Sequence, residues 1–183
     1  MASRGHNTNE TRVFLIGFMA SGKSTVAPLL AEELDCNWLD TDNLVEKLTD
    51  MKIPTIFRER GESVFRKYER EALHQAITRG YGVIALGGGL PMDDRNWTRI
   101  QNTGTSCYLQ VEPETAVRRV GDAEHRPLLS DLTHSERIKK VQDLMSKRES
   151  RYLESDLLVT AEGKSPERLA QEIKTRLVNH ENS

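Results

Sequence analysis

The stretch Gly17-Phe18-Met19-Ala20-Ser21-Gly22-Lys23-Ser24-Thr25 is an unbroken G-x-x-x-x-G-K-[ST] pattern. Each part has a mechanical reason. Gly22 allows a backbone turn that points successive N–H groups at phosphate oxygens. Lys23 brings a cation to the β- and γ-phosphates, and the Ser24 hydroxyl can ligand Mg²⁺. The flanks fit the same reading. Val13-Phe14-Leu15-Ile16 is a short apolar run of strand type, and Val26, Leu29, Leu30 and Leu34 recur at helical spacing between Thr25 and Leu34. A strand therefore delivers the loop to a helix N-terminus, where the dipole and exposed N–H groups favour an anion. A plain glycine turn with a solvated lysine would need neither flank.

Composition narrows the class. The chain has 183 residues, 37% apolar and 30% charged, with 26 basic and 28 acidic side chains. That length suits one domain with a substantial core. The near balance of charge argues against a coat for nucleic acid or an anionic membrane. No stretch approaches the ~18 apolar residues of a membrane helix. Met1 to Glu10 is polar, lacks the apolar core of a signal peptide, and is expected to be a flexible tail. Cys36 and Cys107 lie in or beside strand-like runs without metal-ligand spacing, which suggests thiols of a reducing compartment, and a cytoplasmic protein.

Further along, strand-like and helix-like segments alternate. Strands are expected at Asn37-Trp38-Leu39 ending on Asp40, Gly82 to Leu86, Ser106 to Val111 and Asp156 to Val159. Helices are expected over Asp42 to Leu48, Pro54 to Arg60, Glu62 to Thr78, Arg95 to Gln101, Pro113 to Val120, Ser135 to Ser150 and Pro166 to Asn179. The pattern predicts an α/β protein: a five-stranded parallel sheet between two helical layers, forming a single domain over residues 11–183. Right-handed crossovers put the site at the C-terminal edge of the strands. Gly121 to Pro127 has no apolar periodicity and joins two helices. It is expected to belong to a mobile lid over about 113–131, because phosphoryl transfer needs water excluded.

Other groups gather at that edge. Asp40 and Asp42 close the second strand. One can hold Mg²⁺ through water, and the other can accept a hydroxyl proton. Capping of the next helix by Asp42 alone would leave Asp40 unexplained. Gly87-Gly88-Gly89 follows a buried strand, where missing side chains let a substrate approach backbone N–H groups. Arg66, Arg126 and Arg148 can grip a carboxylate or stabilise a moving phosphoryl group.

Taken in order, these residues resemble the shikimate kinases of the P-loop nucleoside-monophosphate-kinase-like group. The resemblance rests on the phosphate loop, Asp40-Thr41-Asp42, Ile56-Phe57, Gly61-Glu62-x-x-Phe65-Arg66-x-x-Glu69, Leu86-Gly87-Gly88-Gly89, Arg126-Pro127-Leu128-Leu129 and Arg148-x-x-x-Tyr152. It implies ATP-dependent phosphorylation of the shikimate 3-hydroxyl, in aromatic amino-acid biosynthesis. By motif position it assigns Ala20, Ser21, Gly22, Lys23, Ser24 and Thr25 to the ATP phosphates, and Ser24 with Asp40 to Mg²⁺. Asp42 would orient and deprotonate the hydroxyl. Arg66 and Arg148 would clamp the shikimate carboxylate beside Gly87, Gly88 and Gly89. Arg126 would touch phosphate and substrate, while Arg119 and Pro166 would enclose the adenine. Lys23, Asp42 and Arg126 are thus the expected catalytic residues. Many relatives carry Gly where this chain has Ala20. The expected partners are shikimate and ATP, with no nucleic acid or membrane, acting on a monomer.

Two rival readings make different demands. Another small-molecule kinase of this fold, such as a gluconate kinase, would keep Lys23, Ser24 and Asp42 without needing both arginine clamps. A nucleotide-binding module without turnover would need neither Asp42 nor Arg126.

Overall fold

The computed structural model describes residues 12–120 and 132–181. Five strands form one sheet in the order β2-β3-β1-β4-β5: β1 Val13–Ile16, β2 Trp38–Asp40, β3 Val83–Ala85, β4 Thr105–Gln110 and β5 Leu157–Thr160. Every pairing is parallel. The chain runs outward from β1 to β2, returns to β3 beside β1, and crosses to β4 on the other side. The reversal places a crevice at the C-terminal end of β1, the position where such sheets bind ligands.

The strands read as continuous apolar runs because helices cover both faces. Side chains alternate across the sheet. Phe14, Ile16, Ile84, Leu86 and Tyr108 face one core, which is closed by Leu73, Trp97, Val117, Val141 and Tyr152. Val13, Leu15, Val83, Ala85, Cys107 and Val159 face the other, closed by Val26, Leu30, Leu169 and Ile173. The first of these layers uses α3 Ile53–Thr78, α4 Asp94–Thr103, α5 Pro113–Val120 and α6 His134–Leu153; the second uses α1 Lys23–Glu33 and α7 Pro166–Glu181. The short α2 Thr41–Thr49 packs with the start of α3 through Leu44, Val45, Ile56 and Phe65.

The two helices expected on either side of Gly61 run on as α3, with a break at Gly61 (φ 80°, ψ 168°). The expected lid begins within α5, and residues 121–131, Arg126 among them, lie outside the described residues. No helix among the described residues is long and apolar enough to cross a membrane.

Candidate active site

The site begins where β1 ends. Gly22 takes a left-handed conformation (φ 101°) and starts α1 without a side-chain cap. The end of the helix thus faces the crevice, where an anion would complete it. Lys23 is buried, and its ammonium donates to the carbonyls of Gly17 (2.9 Å) and Phe18 (2.7 Å). The loop that would cradle phosphate thereby also positions the cation. Ala20 holds a left-handed conformation too (φ 59°), which costs a residue with a Cβ about 1–2 kcal/mol.

Ser24 Oγ donates to Asp40 Oδ2 at 2.5 Å. The other Asp40 oxygen accepts from the backbone N–H groups of Asp42 (2.9 Å) and Asn43 (3.3 Å). Asp40, not Asp42, is therefore the cap of α2. The reason is that the helix already starts at Thr41, which puts Asp42 inside its first turn. Asp42 is released from capping and lines the crevice.

That crevice has a volume of about 580 Å³. Ala20 to Thr25, Asp40, Asp42, Gly88, Arg119, Arg148 and Pro166 all border it. Arg119 lies at the end near Pro166, donating to the carbonyls of Ala20 and Ala161 at 3.3 Å each. A second, smaller pocket of about 260 Å³ is bordered by Arg66, Glu69, Gly89 and Arg148. Arg148 borders both. The large cavity has room for a nucleotide and the small one for a ring with an acidic group, and one guanidinium stands between them.

The glycine triplet matters through what it lacks. A Cβ on Gly89 would lie 2.5 Å from Arg66 Nη1, and one on Gly87 would collide with the Asp42 carboxylate. Within the triplet, the N–H of Gly87 already donates to Thr41 Oγ1 at 2.9 Å. Gly87 makes space; its amide is occupied.

Three further groups acquire a place here. Glu69 is buried and accepts from Arg66 Nη1 at 2.5 Å, while Glu62 holds the other side of the same guanidinium at 2.9 Å. Burial raises the Glu69 pKa to about 7, with Arg66 acting against the rise and Asp42 adding to it. Tyr152 donates to the Gly88 carbonyl at 2.6 Å. Lys164 borders the nucleotide-sized end and pairs with Glu172 at 2.6 Å. The signal for Glu69 was its place on the apolar face of α3, beside Phe65, Ala72 and Leu73. A carboxylate among such residues needs a partner.

The donor set also fits a metal that travels with phosphate. No group of three or more His, Cys, Asp or Glu side chains among the described residues could hold an ion. Ser24 and Asp40 offer two hard oxygens at the phosphate loop. Mg²⁺ is commonly held by one or two protein oxygens, its remaining positions filled by water and phosphate.

Known proteins agree with this geometry. A family model described as "Shikimate kinase" matches residues 19–178. A shikimate kinase of Persephonella marina is 38% identical over 90% of this chain and 98% of its own length. One from Moorella thermoacetica is also 38% identical, over 90% and 93%. Among solved structures, a shikimate kinase from Acinetobacter baumannii in complex with shikimate superposes with a TM-score of 0.88 at 30% identity, covering 94% of this chain and 95% of that one. A gluconokinase from Sinorhizobium meliloti reaches only 0.59 at 14% identity, covering 94% and 95%, a likeness of fold alone. With the phosphate loop, the paired aspartates and the double arginine pocket in one connected site, the chain belongs to the shikimate kinase family.

Proposed function

We propose that this chain transfers the γ-phosphoryl group of ATP to the 3-hydroxyl of shikimate, giving shikimate 3-phosphate and ADP. The observation that carries the reading is the pair of cavities meeting at Arg148, one built on the phosphate loop and one on Arg66 and Gly89. Arg66 and Arg148 grip the shikimate carboxylate, each able to make a bidentate pair. Asp42 orients the hydroxyl and takes its proton as the oxygen attacks phosphorus. Lys23 and the N-terminus of α1 balance the charge on the transferred group. Ser24, with Asp40 behind it, would hold Mg²⁺, which would supply further charge neutralisation. Arg119 and Pro166 enclose the adenine. Arg126 is assigned to the phosphoryl group on its sequence motif.

Most of the catalysis is placement and electrostatics, since a sugar-like hydroxyl and a phosphoryl group need alignment more than activation. The test is ADP release, coupled to NADH oxidation, with shikimate, gluconate and other small hydroxy acids. Turnover should require shikimate. Gluconate turnover would point to the sister kinases, and nucleotide binding without ADP release would point to a binding module.

The same proposal covers a single catalytic domain over residues 11–183, after the N-terminal segment 1–10, and a monomer of the cytoplasm. Cys36 and Cys107 are thiols, neither in a disulfide, which suits a reducing compartment. Light scattering and cell fractionation test the remainder.

A further inference from the structure

Arg148 and Tyr152 stand four residues apart on α6, so their side chains leave the same face one turn apart. Tyr152 is 1% exposed, and its ring packs on Tyr108 with centroids 5.1 Å apart. A phenol buried that deeply needs a partner for its hydroxyl. That partner is not another core residue but the carbonyl of Gly88, 2.6 Å away in the middle of the glycine triplet. Arg148 lies against the same hydroxyl, and its charge works against the rise in pKa that burial imposes there. The geometry around Gly88 is close on every side. A Cβ at this position would lie 3.3 Å from the Gly17 carbonyl, 3.4 Å from Arg148 Nη1 and 3.6 Å from Tyr152 Oη. The phosphate loop, the triplet and the arginine shared by the two cavities therefore converge within reach of one phenolic hydroxyl.

We propose that Tyr152 is a positioning residue for the acceptor: its hydroxyl ties the Gly88-Gly89 backbone to Arg148, so that the acceptor's carboxylate meets a preset clamp. The inference rests on the shikimate reading given above. The physical argument is preorganisation. Arg148 has a long side chain with several rotamers, and Gly88 has the widest backbone freedom of any residue type. Left alone, both would have to be ordered by the substrate, at the expense of affinity. One buried hydroxyl on the rigid α6 restrains the triplet and stands beside the guanidinium before the substrate arrives. Gly88 and Arg148 border the nucleotide-sized cavity, but Tyr152 itself is not part of its lining, and Arg119 and Pro166 are. The effect should accordingly be confined to the acceptor.

Tyr152→Phe removes the hydroxyl and keeps the ring. Steady-state KM values for shikimate and ATP are measured for the wild type, Tyr152→Phe and Tyr108→Phe, the last removing a hydroxyl from the same ring pair but away from Gly88. Loss of one buried hydrogen bond predicts a rise of about five- to tenfold in the shikimate KM of Tyr152→Phe. The ATP KM should stay within about twofold, and Tyr108→Phe should leave both within about twofold, since neither tyrosine borders the nucleotide-sized cavity. Replacing Tyr152 with 4-aminophenylalanine, which keeps an N–H donor at the same place, should recover most of the shikimate KM. An unchanged shikimate KM in Tyr152→Phe would overturn the inference, as would equal rises in both KM values or a variant that cannot fold, each leaving the hydroxyl as part of the general fold. Failure of the wild type to phosphorylate shikimate would strike the functional reading itself, which separates the two.

Discussion

Replacing Glu69 with Gln should remove most of the pH dependence of this protein's stability between pH 5 and 8. Glu69 is 2% exposed, and burial raises its pKa from the ordinary 4.5 to about 7, against the pull of Arg66. The sign follows from proton counting. In the unfolded chain the carboxyl loses its proton near pH 4.5; in the folded protein it keeps it until about pH 7. Between those values the folded state binds more protons, so stability falls as pH rises. The difference corresponds to about 3 kcal/mol across the window. Gln has the same shape, still accepts from Arg66, and carries no charge to desolvate. The variant should match the wild type near pH 5 and exceed it at pH 8 by up to about 3 kcal/mol.

Other perturbed groups titrate elsewhere. Cys107 and Tyr108 are pushed up to about 12, and Glu46, Asp93 and Glu172 are held below their ordinary values by partners such as Lys52, Arg95 and Lys164. Urea unfolding of wild type and variant at pH 5, 6, 7 and 8, at constant ionic strength and without substrates, measures the window. Parallel curves for the two proteins would refute the reasoning, and so would a gap that opens at pH 5 in place of pH 8. A more stable Glu69→Gln protein would also explain why a buried acid is tolerated: its carboxyl holds the Arg66 guanidinium for the acceptor at a standing cost in stability.

Asp42→Asn should lower kcat by about 100-fold or more while leaving the melting temperature almost unchanged, because the α2 cap is Asp40; thermal melts and initial rates decide this together. Ser24→Ala should raise the Mg²⁺ concentration needed for half-maximal activity, and Asp40→Ala should do the same and also lose about 1 kcal/mol of stability as the cap goes, read from Mg²⁺ titrations and melts. Arg66→Lys and Arg148→Lys should each raise the shikimate KM by about tenfold, with ATP KM little changed, since an ammonium cannot reproduce a guanidinium fork; an effect on ATP alone would misplace both residues. Ala20→Gly should raise the melting temperature by about 2–4 °C by relieving the left-handed alanine, and a scanning-calorimetry trace with no rise would show the loop to be unstrained.

Periodicity and punctuation carried the fold a long way. The apolar run at Val13, the glycine–lysine loop and the alternation that follows were enough to place five parallel strands and the crevice beside β1. These signals are local: a strand buried on both faces has to be apolar throughout, and a helix on a sheet has to repeat at 3.6 residues. Boundaries drifted by one to three residues, as at Asp94, Thr105 and Leu153, because helix and strand ends depend on caps and neighbours more than on their own side chains. The roles of Asp40 and Asp42 show the same limit. Their spacing suggested two jobs, but which one caps depends on where α2 starts, and that one-residue difference is decided by how β2 delivers the chain against β3.

What could not be read locally were the bonds that join distant segments. Thr41 accepts from Gly87 across 46 residues, and Tyr152 donates to Gly88 across 64. Neither pairing leaves a mark in its own neighbourhood, since Thr is ordinary in a first helical turn and Tyr is ordinary in a core. Glu69 differs in that its misfit with the apolar face of α3 is visible and its partner is local, since Arg66 stands three residues before it on the same helix. On the proposed reading, the site's chemistry falls to residues whose types are conspicuous, such as Lys23, Asp42 and the arginines. Its precision depends on inconspicuous residues whose hydrogen bonds exist only once β2, β3, α3 and α6 have met. Substitutions at Lys23 and Asp42 should cut turnover and those at Arg66 and Arg148 should weaken the grip on the acceptor, while those at the second set should loosen acceptor binding because they disturb the placement of groups that are all still present.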